Sequence, residues 1–327
     1  MTSNLEKKLP LLGTSLLVGA DGATGIIIVR EFKKYQQNFF APPLEELDYR
    51  NISQIHSIIS KTTPEIIFLV GAYTNVDKGE YEDKELCWNI NRDGIATFLQ
   101  TIFKLQNQGI YTKQPKIIFI STDMVGSGDH PLKENENVWD IPKAVNEYGK
   151  SKLAGENIIQ EFHKKNSERF SYHIVRIATP FSGLRKGSFL TLLHNSVKEK
   201  KSVQLVTDQY VTPTYAEDLA WNLILIAQYG KEKVYHDAPK NEKPLSVYDI
   251  GKNFAQICGW NSIEIKEMKM QEMYKNGWWR APRGHSNELE IKNLLSLPSP
   301  IPPKIHSLSQ VLTEFKKLYI DHSIIVP

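Results

Sequence analysis

Only two cysteines, Cys87 and Cys258, occur in the 327 residues. They form neither a disulfide framework nor a metal-ligand spacing, so no metal centre is expected and a reducing cytoplasm suits the chain. Charge of one sign is lacking as well, the formal net charge being +3, which leaves no electrostatic footprint for nucleic acid. The one basic run, Val197–Ser202 "VKEKKS", is broken by Glu199 and reads as a solvated helix end. Long apolar stretches are also missing. The N-terminal "EKKLPLLGTSLLVGA" begins like a leader, but Pro10, Gly13, Thr14 and Ser15 interrupt it, and cleavage after Ala20 would remove a core strand. No segment reaches the ~18 apolar residues that span a bilayer, and no internal repeat is present. What remains is the expectation of a soluble intracellular protein of about two domains by length.

Short apolar runs alternating with helical patterns are what is there, as in βαβ units around a parallel sheet buried on both faces. Strands are expected at Ser15–Val18, Glu65–Val70, Lys116–Ile120 and Tyr172–Ile177, with a further strand near Gln37–Pro43. Helices are expected at Thr24–Lys34, Ser53–Ser60, Lys84–Gln106 and Tyr148–Lys165. Later come helices at Gly187–Glu199, Pro213–Gln228 and Ser246–Gly259, and strands at Ser202–Val206 and Lys233–Ala238. The tail, with six prolines from Pro282 to Pro327, reads as irregular. The fold class is therefore α/β: a Rossmann-type doubly wound parallel sheet with a smaller C-terminal α/β substrate domain. Residues 14–180, joined by about 207–237, would form the nucleotide-binding domain, and 181–206 with 238–327 the other.

Directly after the first strand comes Gly19-Ala-Asp-Gly22-Ala23-Thr24-Gly25, and then the apolar "IIIV". Glycines let backbone N–H groups approach a pyrophosphate, and the helix N-terminus adds partial positive charge. A Gly-rich turn serving only close packing would look the same. Position favours the first reading, because ligands of doubly wound sheets sit at the carboxyl ends of the strands. Those ends here carry Gly71-Ala72-Tyr73-Thr74, Ser121-Thr122-Asp123 and Ala178-Thr179-Pro180.

A Tyr-x-x-x-Lys pair arises by chance in a Lys-rich chain of this length, and three occur: Tyr148/Lys152, Tyr229/Lys233 and Tyr248/Lys252. Gly230 breaks the helix between the second pair. The third lies outside the cofactor half, in an amphipathic pattern that should bury Tyr248. Only Tyr148 follows both the glycine loop and a strand-end Ser/Thr. Residues four apart share a helix face, so the Lys152 ammonium can lower the tyrosine's usual pKa of about 10 and suit it to acid–base work.

Gly-x-x-Gly-x-x-Gly, "STD" and "YGKSK" together resemble the extended short-chain dehydrogenase/reductases. Four blocks narrow the resemblance: "AYTNVDKGE" (72–80), "ISTD" (120–123), "YGKSKLAGE" (148–156) and "DQYVTPTYAEDLA" (208–220) are similar to the dTDP-4-dehydrorhamnose reductase family, over about residues 14–315. That resemblance implies NAD(P)H-dependent reduction of the 4-keto group of a nucleotide-activated deoxysugar, in the synthesis of surface-polysaccharide sugars. Tyr148, Lys152 and Thr122 would be catalytic, with Ser121 the alternative to Thr122. Lys152 would also hold the nicotinamide ribose. Gly19, Gly22, Ala23, Thr24, Gly25, Asp48, Tyr49, Gly71, Ala72, Tyr73 and Ser121 would meet the cofactor, with Thr74 lining it and Asn91 behind. Val76, Asp77, Glu80, Asp123, Met124, Gln209, Thr214 and Arg280 would meet the substrate, with a charged surface loop the plainer reading of Asp77 and Glu80. Departures lie at Met124-Val125-Gly126, Ile177-Ala178-Thr179 and Arg280-Ala281-Pro282 after Trp278-Trp279, where packing is the plainer role for the tryptophans.

The expected cofactor is NADPH or NADH. The second strand ends with neither an acid for a free 2′-hydroxyl nor an Arg for a 2′-phosphate, and Arg30, Lys33 and Lys34 nearby favour NADPH. The expected partner is the nucleotide-sugar substrate, with no nucleic acid and no membrane, and the resemblance implies a homodimer. Two rivals stand beside this reading: a nucleotide-sugar epimerase or dehydratase on the same scaffold, and a non-catalytic subunit like the regulatory beta subunit of methionine adenosyltransferase.

Overall fold

Leu16, Leu17 and Val18 are all inaccessible to solvent because the first strand, β1 (Ser15–Val18), lies in a sheet covered on both faces. The computed structural model describes residues 9–140, 142–183, 189–240 and 243–322. Its main sheet adds β2 (Phe39–Phe40), β3 (Ile66–Leu69), β4 (Lys116–Thr122), β5 (Ser171–Ile177) and the strand Val234–Asp237. Every pairing is parallel, in the spatial order β2, β1, β3, β4, β5 and Val234–Asp237.

Alternate side chains of a strand point to opposite faces, and each face has its own helices. Leu17, Phe68, Ile118 and Val175 pack with Ile28 and Phe32 of α1 (Gly25–Lys34) and with Leu219 and Leu223 of the helix Ala216–Tyr229. Leu16, Ile67, Ile117 and Phe119 pack with Ile55 and Ile59 of α2 (Ile52–Thr62), Phe98 of the helix Gly94–Asn107 and Ile159 of the helix Glu147–Lys165. Each such apolar side chain contributes about 1.5–3 kcal/mol over its exposed state. Strand order reverses between β1 and β3, opening a crevice at their carboxyl ends, the usual ligand position of such sheets.

The strands of the main sheet lie within about three residues of the sequence reading, but Lys84–Gln106 is not one helix. It is Lys84–Trp88, a π-helical turn Asn89–Asp93, and Gly94–Asn107. A Cβ on Gly155 would stand 2.5 Å from the Asn91 carbonyl oxygen, so the bulge sits against the helix Glu147–Lys165 with no room to spare. π-bulges of this kind commonly mark functional positions.

A third hydrophobic cluster gathers Phe181 with Leu190, Ile250, Phe254, Leu312 and Phe315 of the helices Phe189–Lys198, Val247–Cys258 and Leu308–Phe315. Beside it the strands Val203–Val206 and Ile265–Met268 pair in parallel. The helix expected from Gly187 starts at Phe189, its first two expected residues lying outside the described ones. Sequence reading missed the order in the tail, including Ser286–Asn287, which pairs with Tyr210–Val211.

Candidate active site

At the end of β1 the backbone turns with Gly19 at φ +87°, a left-handed conformation that favours glycine. A side chain there would collide with the backbone of Gly71, so the ends of β1 and β3 touch through two glycines. Thr24, at the N-cap of α1, makes no side-chain capping bond, and the first turn carries no acid. The positive end of the helix thus opens onto a cleft lined by Gly19, Gly22, Ala23, Thr24 and Gly25. Anions are stabilised at such a terminus.

Gly71, Ala72, Thr74, Val76, Ser121, Thr122, Asp123, Met124, Tyr148 and Lys152 line the same cleft. An adjoining cavity shares Gly19, Gly22, Gly71 and Ala72 and extends to Asp48, Tyr49 and Arg50. Tyr49, at the wall of this cavity, is buried, its hydroxyl donates to the Gly71 carbonyl at 3.2 Å, and Gly94 leaves room for its ring. Asp48 is held by Arg50 in a two-pronged contact that keeps its carboxyl below the ordinary range.

Tyr148 stands in the first turn of the helix Glu147–Lys165, which Asn146 caps by accepting from Gly149 N at 2.8 Å. One turn on, Lys152 is 2% exposed; its ammonium donates to the Ile120 carbonyl at 2.7 Å and lies 4.0 Å from the centre of the Phe119 ring. Burial pushes the amine down to about 7 against the pull of Glu156 and Cys87. Glu156 forms a fully buried pair with Arg176 at 2.7 Å and accepts from Trp139 Nε1 at 2.8 Å.

Asn91 explains the π-bulge. Its side chain accepts from Tyr73 N at 2.9 Å and donates to Tyr73 O and Ser151 Oγ at 3.1 and 3.0 Å. Ser151 in turn donates to the Tyr148 carbonyl at 2.8 Å. One buried amide thereby ties the loop after β3 to the Tyr148 helix. Tyr73 turns out of the cleft, its hydroxyl on Asp83 at 2.8 Å.

Thr122 Oγ1 donates to Asp123 Oδ1 at 2.9 Å and accepts from Met124 N at 3.3 Å. Ser121 Oγ is buried and makes no hydrogen bond among the described residues. Asp123 is buried, which raises its carboxyl to about 6 despite bonds from Thr122 and from Asn287 Nδ2 at 2.7 Å. Asn287 also accepts from Gln209 Nε2 at 3.3 Å. No spacing in the sequence pointed to Asn287, 164 positions from its partner. Thr179 lines the cleft at φ +38°, a strained backbone for a β-branched residue.

Five residues expected at the substrate are not among those that line this cleft. Asp77 accepts from Arg280 N and Ala281 N at 2.8 and 2.9 Å and from the Arg283 guanidinium at 2.8 Å; these donors outweigh burial and hold it at about 2. Glu80 accepts from Glu147 N at 2.7 Å, at the head of the Tyr148 helix. Gln209 faces Gly284 and Asn287, and Thr214 Oγ1 receives Ala178 N at 3.1 Å. Arg280 pairs at the surface with Glu82 at 2.6 Å. Arg283, which the sequence reading passed over, carries the inward charge and covers the Trp279 ring at 4.7 Å, while Trp278 is exposed. Two of the three basic residues taken to favour NADPH are also engaged away from the cleft, Arg30 with Glu217 and Tyr319 and Lys34 with Glu31.

The other two Tyr-x-x-x-Lys pairs differ. Tyr229 ends its helix at Gly230, and Tyr248 is half-buried rather than buried.

Known proteins share this sequence pattern and fold. The dTDP-4-dehydrorhamnose reductase of Salmonella typhimurium is 32% identical over 176 residues, 53% of this chain and 52% of that protein, so the chain spans about half the length of this relative. A Bacillus anthracis dTDP-4-dehydrorhamnose reductase, solved in complex with NADP, superposes with a TM-score of 0.78 at 25% identity, covering 93% of this chain and 99% of that one. UDP-glucose 4-epimerase of Thermotoga maritima shares the fold, with a TM-score of 0.75 at 18% identity over 95% and 99% of the two chains. The sequence pattern of the RmlD substrate binding domain matches residues 14–316, and across that span this chain belongs to the RmlD substrate binding domain family.

Proposed function

We propose that the protein reduces the 4-keto group of a nucleotide-activated deoxysugar, as the names of its relatives state for them, with NADPH as the preferred reductant. The observation that carries this reading is the shared cleft. The uncapped N-terminus of α1, the strand-end hydroxyls of β4 and the Tyr148/Lys152 turn all open onto it.

The residues fit a dinucleotide. The glycine loop would hold the pyrophosphate, Asp48 and the cavity around it the adenine side, and Lys152 with Ser121 the nicotinamide end. When bound, the reduced nicotinamide supplies the hydride. Tyr148 delivers the proton that the new alkoxide oxygen takes up. Lys152, on the same helix face, offers the ammonium that favours the phenolate left behind. Thr122, turning its O–H from Asp123 to the substrate, orients the carbonyl oxygen and stabilises its developing charge, with the Ser121 hydroxyl beside it. Residues 181–206 and 238–327 would hold the sugar nucleotide, in a cytoplasmic homodimer. No described helix is long and apolar enough to cross a membrane.

Oxidation of NADPH and NADH, followed with dTDP-4-dehydro-L-rhamnose, tests the reading. Stoichiometric turnover with free cofactor is expected. The epimerase-like neighbour motivates the second reading, under which NAD co-purifies, resists dialysis and is not consumed.

A further inference from the structure

The Thr122 hydroxyl ends a chain of buried polar side chains that starts in the C-terminal half. Gln209 Nε2 donates to the Gly284 carbonyl at 3.4 Å and to Asn287 Oδ1 at 3.3 Å. A carbonyl only accepts, so Gln209 must present its nitrogen there, and Asn287 must meet it with oxygen. The Asn287 nitrogen is left to donate to Asp123 Oδ2 at 2.7 Å. Asp123 Oδ1 accepts from Thr122 at 2.9 Å, and Thr122 Oγ1 accepts from Met124 N at 3.3 Å. The backbone that carries Asn287 is fixed on two sides: Ser286–Asn287 pairs with Tyr210–Val211, and Ser286 N donates to the Gly128 carbonyl at 2.8 Å.

Ionised, Asp123 only accepts, and it keeps the Thr122 proton on Oδ1. Protonated, it carries its proton on Oδ1, because the Asn287 N–H already points at Oδ2. The acid then donates to Thr122 Oγ1, whose second lone pair keeps the bond from Met124 N, and the Thr122 proton turns into the cleft that Thr122 lines. We infer that Asp123 is a positioning residue: one proton on Oδ1, placed there by Asn287, aims the Thr122 hydroxyl at the substrate oxygen. The inference rests on the ketoreductase reading of the cleft. Burial raises this carboxyl to about 6, which brings both of its forms close to neutral pH. Among the described residues its bonds come from Thr122, Asn287 and backbone N–H groups, not from a charged side chain. Of the titratable groups around it, Tyr148 and Lys152 line the same cleft, His285 Nδ1 bonds to the Asp208 carbonyl at 2.8 Å, and Glu288 accepts from Ser286 Oγ at 3.1 Å.

The pH profile of kcat for NADPH oxidation with dTDP-4-dehydro-L-rhamnose, compared in wild type, Asp123→Asn and Asn287→Asp, tests the inference. Asparagine at 123 mimics the protonated acid, its oxygen accepting from Asn287 and its nitrogen donating to Thr122. The ratio of wild-type to Asp123→Asn kcat should therefore fall at least ~10-fold as pH rises through the carboxyl's titration, any fall due to Lys152 being common to both. In Asn287→Asp a second carboxyl disfavours ionisation of the first, and the midpoint should lie ~1 pH unit or more higher. A ratio that does not change with pH overturns the inference, as does an unmoved midpoint in Asn287→Asp. Infrared difference spectra of the protein alone need no substrate: a buried carboxyl should titrate near 6 in wild type and be missing in Asp123→Asn. Absence of that band also overturns the inference. Absence of wild-type turnover with the band in place would instead overturn the ketoreductase reading, and the aiming role with it.

Discussion

Two stretches of this chain carry the same spacing in nearly the same local setting. Tyr148 and Tyr248 each sit second in a helix, behind Asn146 and Ser246 as N-caps, with a lysine four residues on. Lys152 is buried, drops its ammonium onto a carbonyl of β4 and has its acidity reset by burial. Lys252 is exposed, and its ammonium hovers 5.4 Å from the centre of the Tyr248 ring. Helical periodicity supplies the pairing in both places; only at Tyr148 does a packed strand bury the lysine beside the cleft. A motif of this length reports geometry, and burial decides whether the geometry is used.

Lys152→Met is the substitution that separates the two regions most sharply. Turnover should fall by on the order of 10²–10⁴, while Lys252→Met should leave it unchanged. Stability gives a second reading. The folded amine titrates near 7 rather than the ordinary 10.5, so between those values the unfolded chain binds a proton that the native chain has shed. Wild-type stability therefore gains from this group as pH rises through that window, and the cost of the buried ammonium is fully present below about 7. Urea unfolding of the ligand-free proteins should show Lys152→Met most stable relative to wild type at low pH, with the gap closing towards pH 10.5. A difference independent of pH contradicts this account.

Asn91→Ala should come next. Losing the amide unties the Tyr73 loop from Ser151 and leaves a buried N–H unpaired, which costs about 1–3 kcal/mol in denaturant unfolding. Misplacing the Tyr148 helix should lower turnover on the order of 10- to 100-fold. A small effect is expected of Arg280→Ala, less than about twofold in kcat/KM, because its guanidinium is spent at the surface on Glu82. A large loss there would restore Arg280 to the substrate and weaken the contrast drawn here.

The parallel sheet was legible because strands buried on both faces read as unbroken apolar runs and the glycine loop marks the first turn. That Tyr148, Lys152 and the strand-end Ser121-Thr122 share one cleft was legible through fixed local spacings. Hidden were the contacts that long-range folding creates: Asn287 against Asp123, Arg283 against Asp77, and the π-bulge that presents Asn91. The blocks at 72–80 and 208–220 carry residues expected at the substrate, yet Asp77, Glu80, Gln209 and Thr214 bond to other parts of the chain and are not among the residues that line the cleft. Periodicity cannot tell a carboxylate that meets a ligand from one that meets backbone N–H groups.

NADPH oxidation with dTDP-4-dehydro-L-rhamnose by Tyr148→Phe and Tyr248→Phe, each first shown to bind NADPH, tests the central claim most directly. The account predicts loss of turnover on the order of 10²–10⁴ in the first and none in the second. Equal activity in the two variants would contradict it.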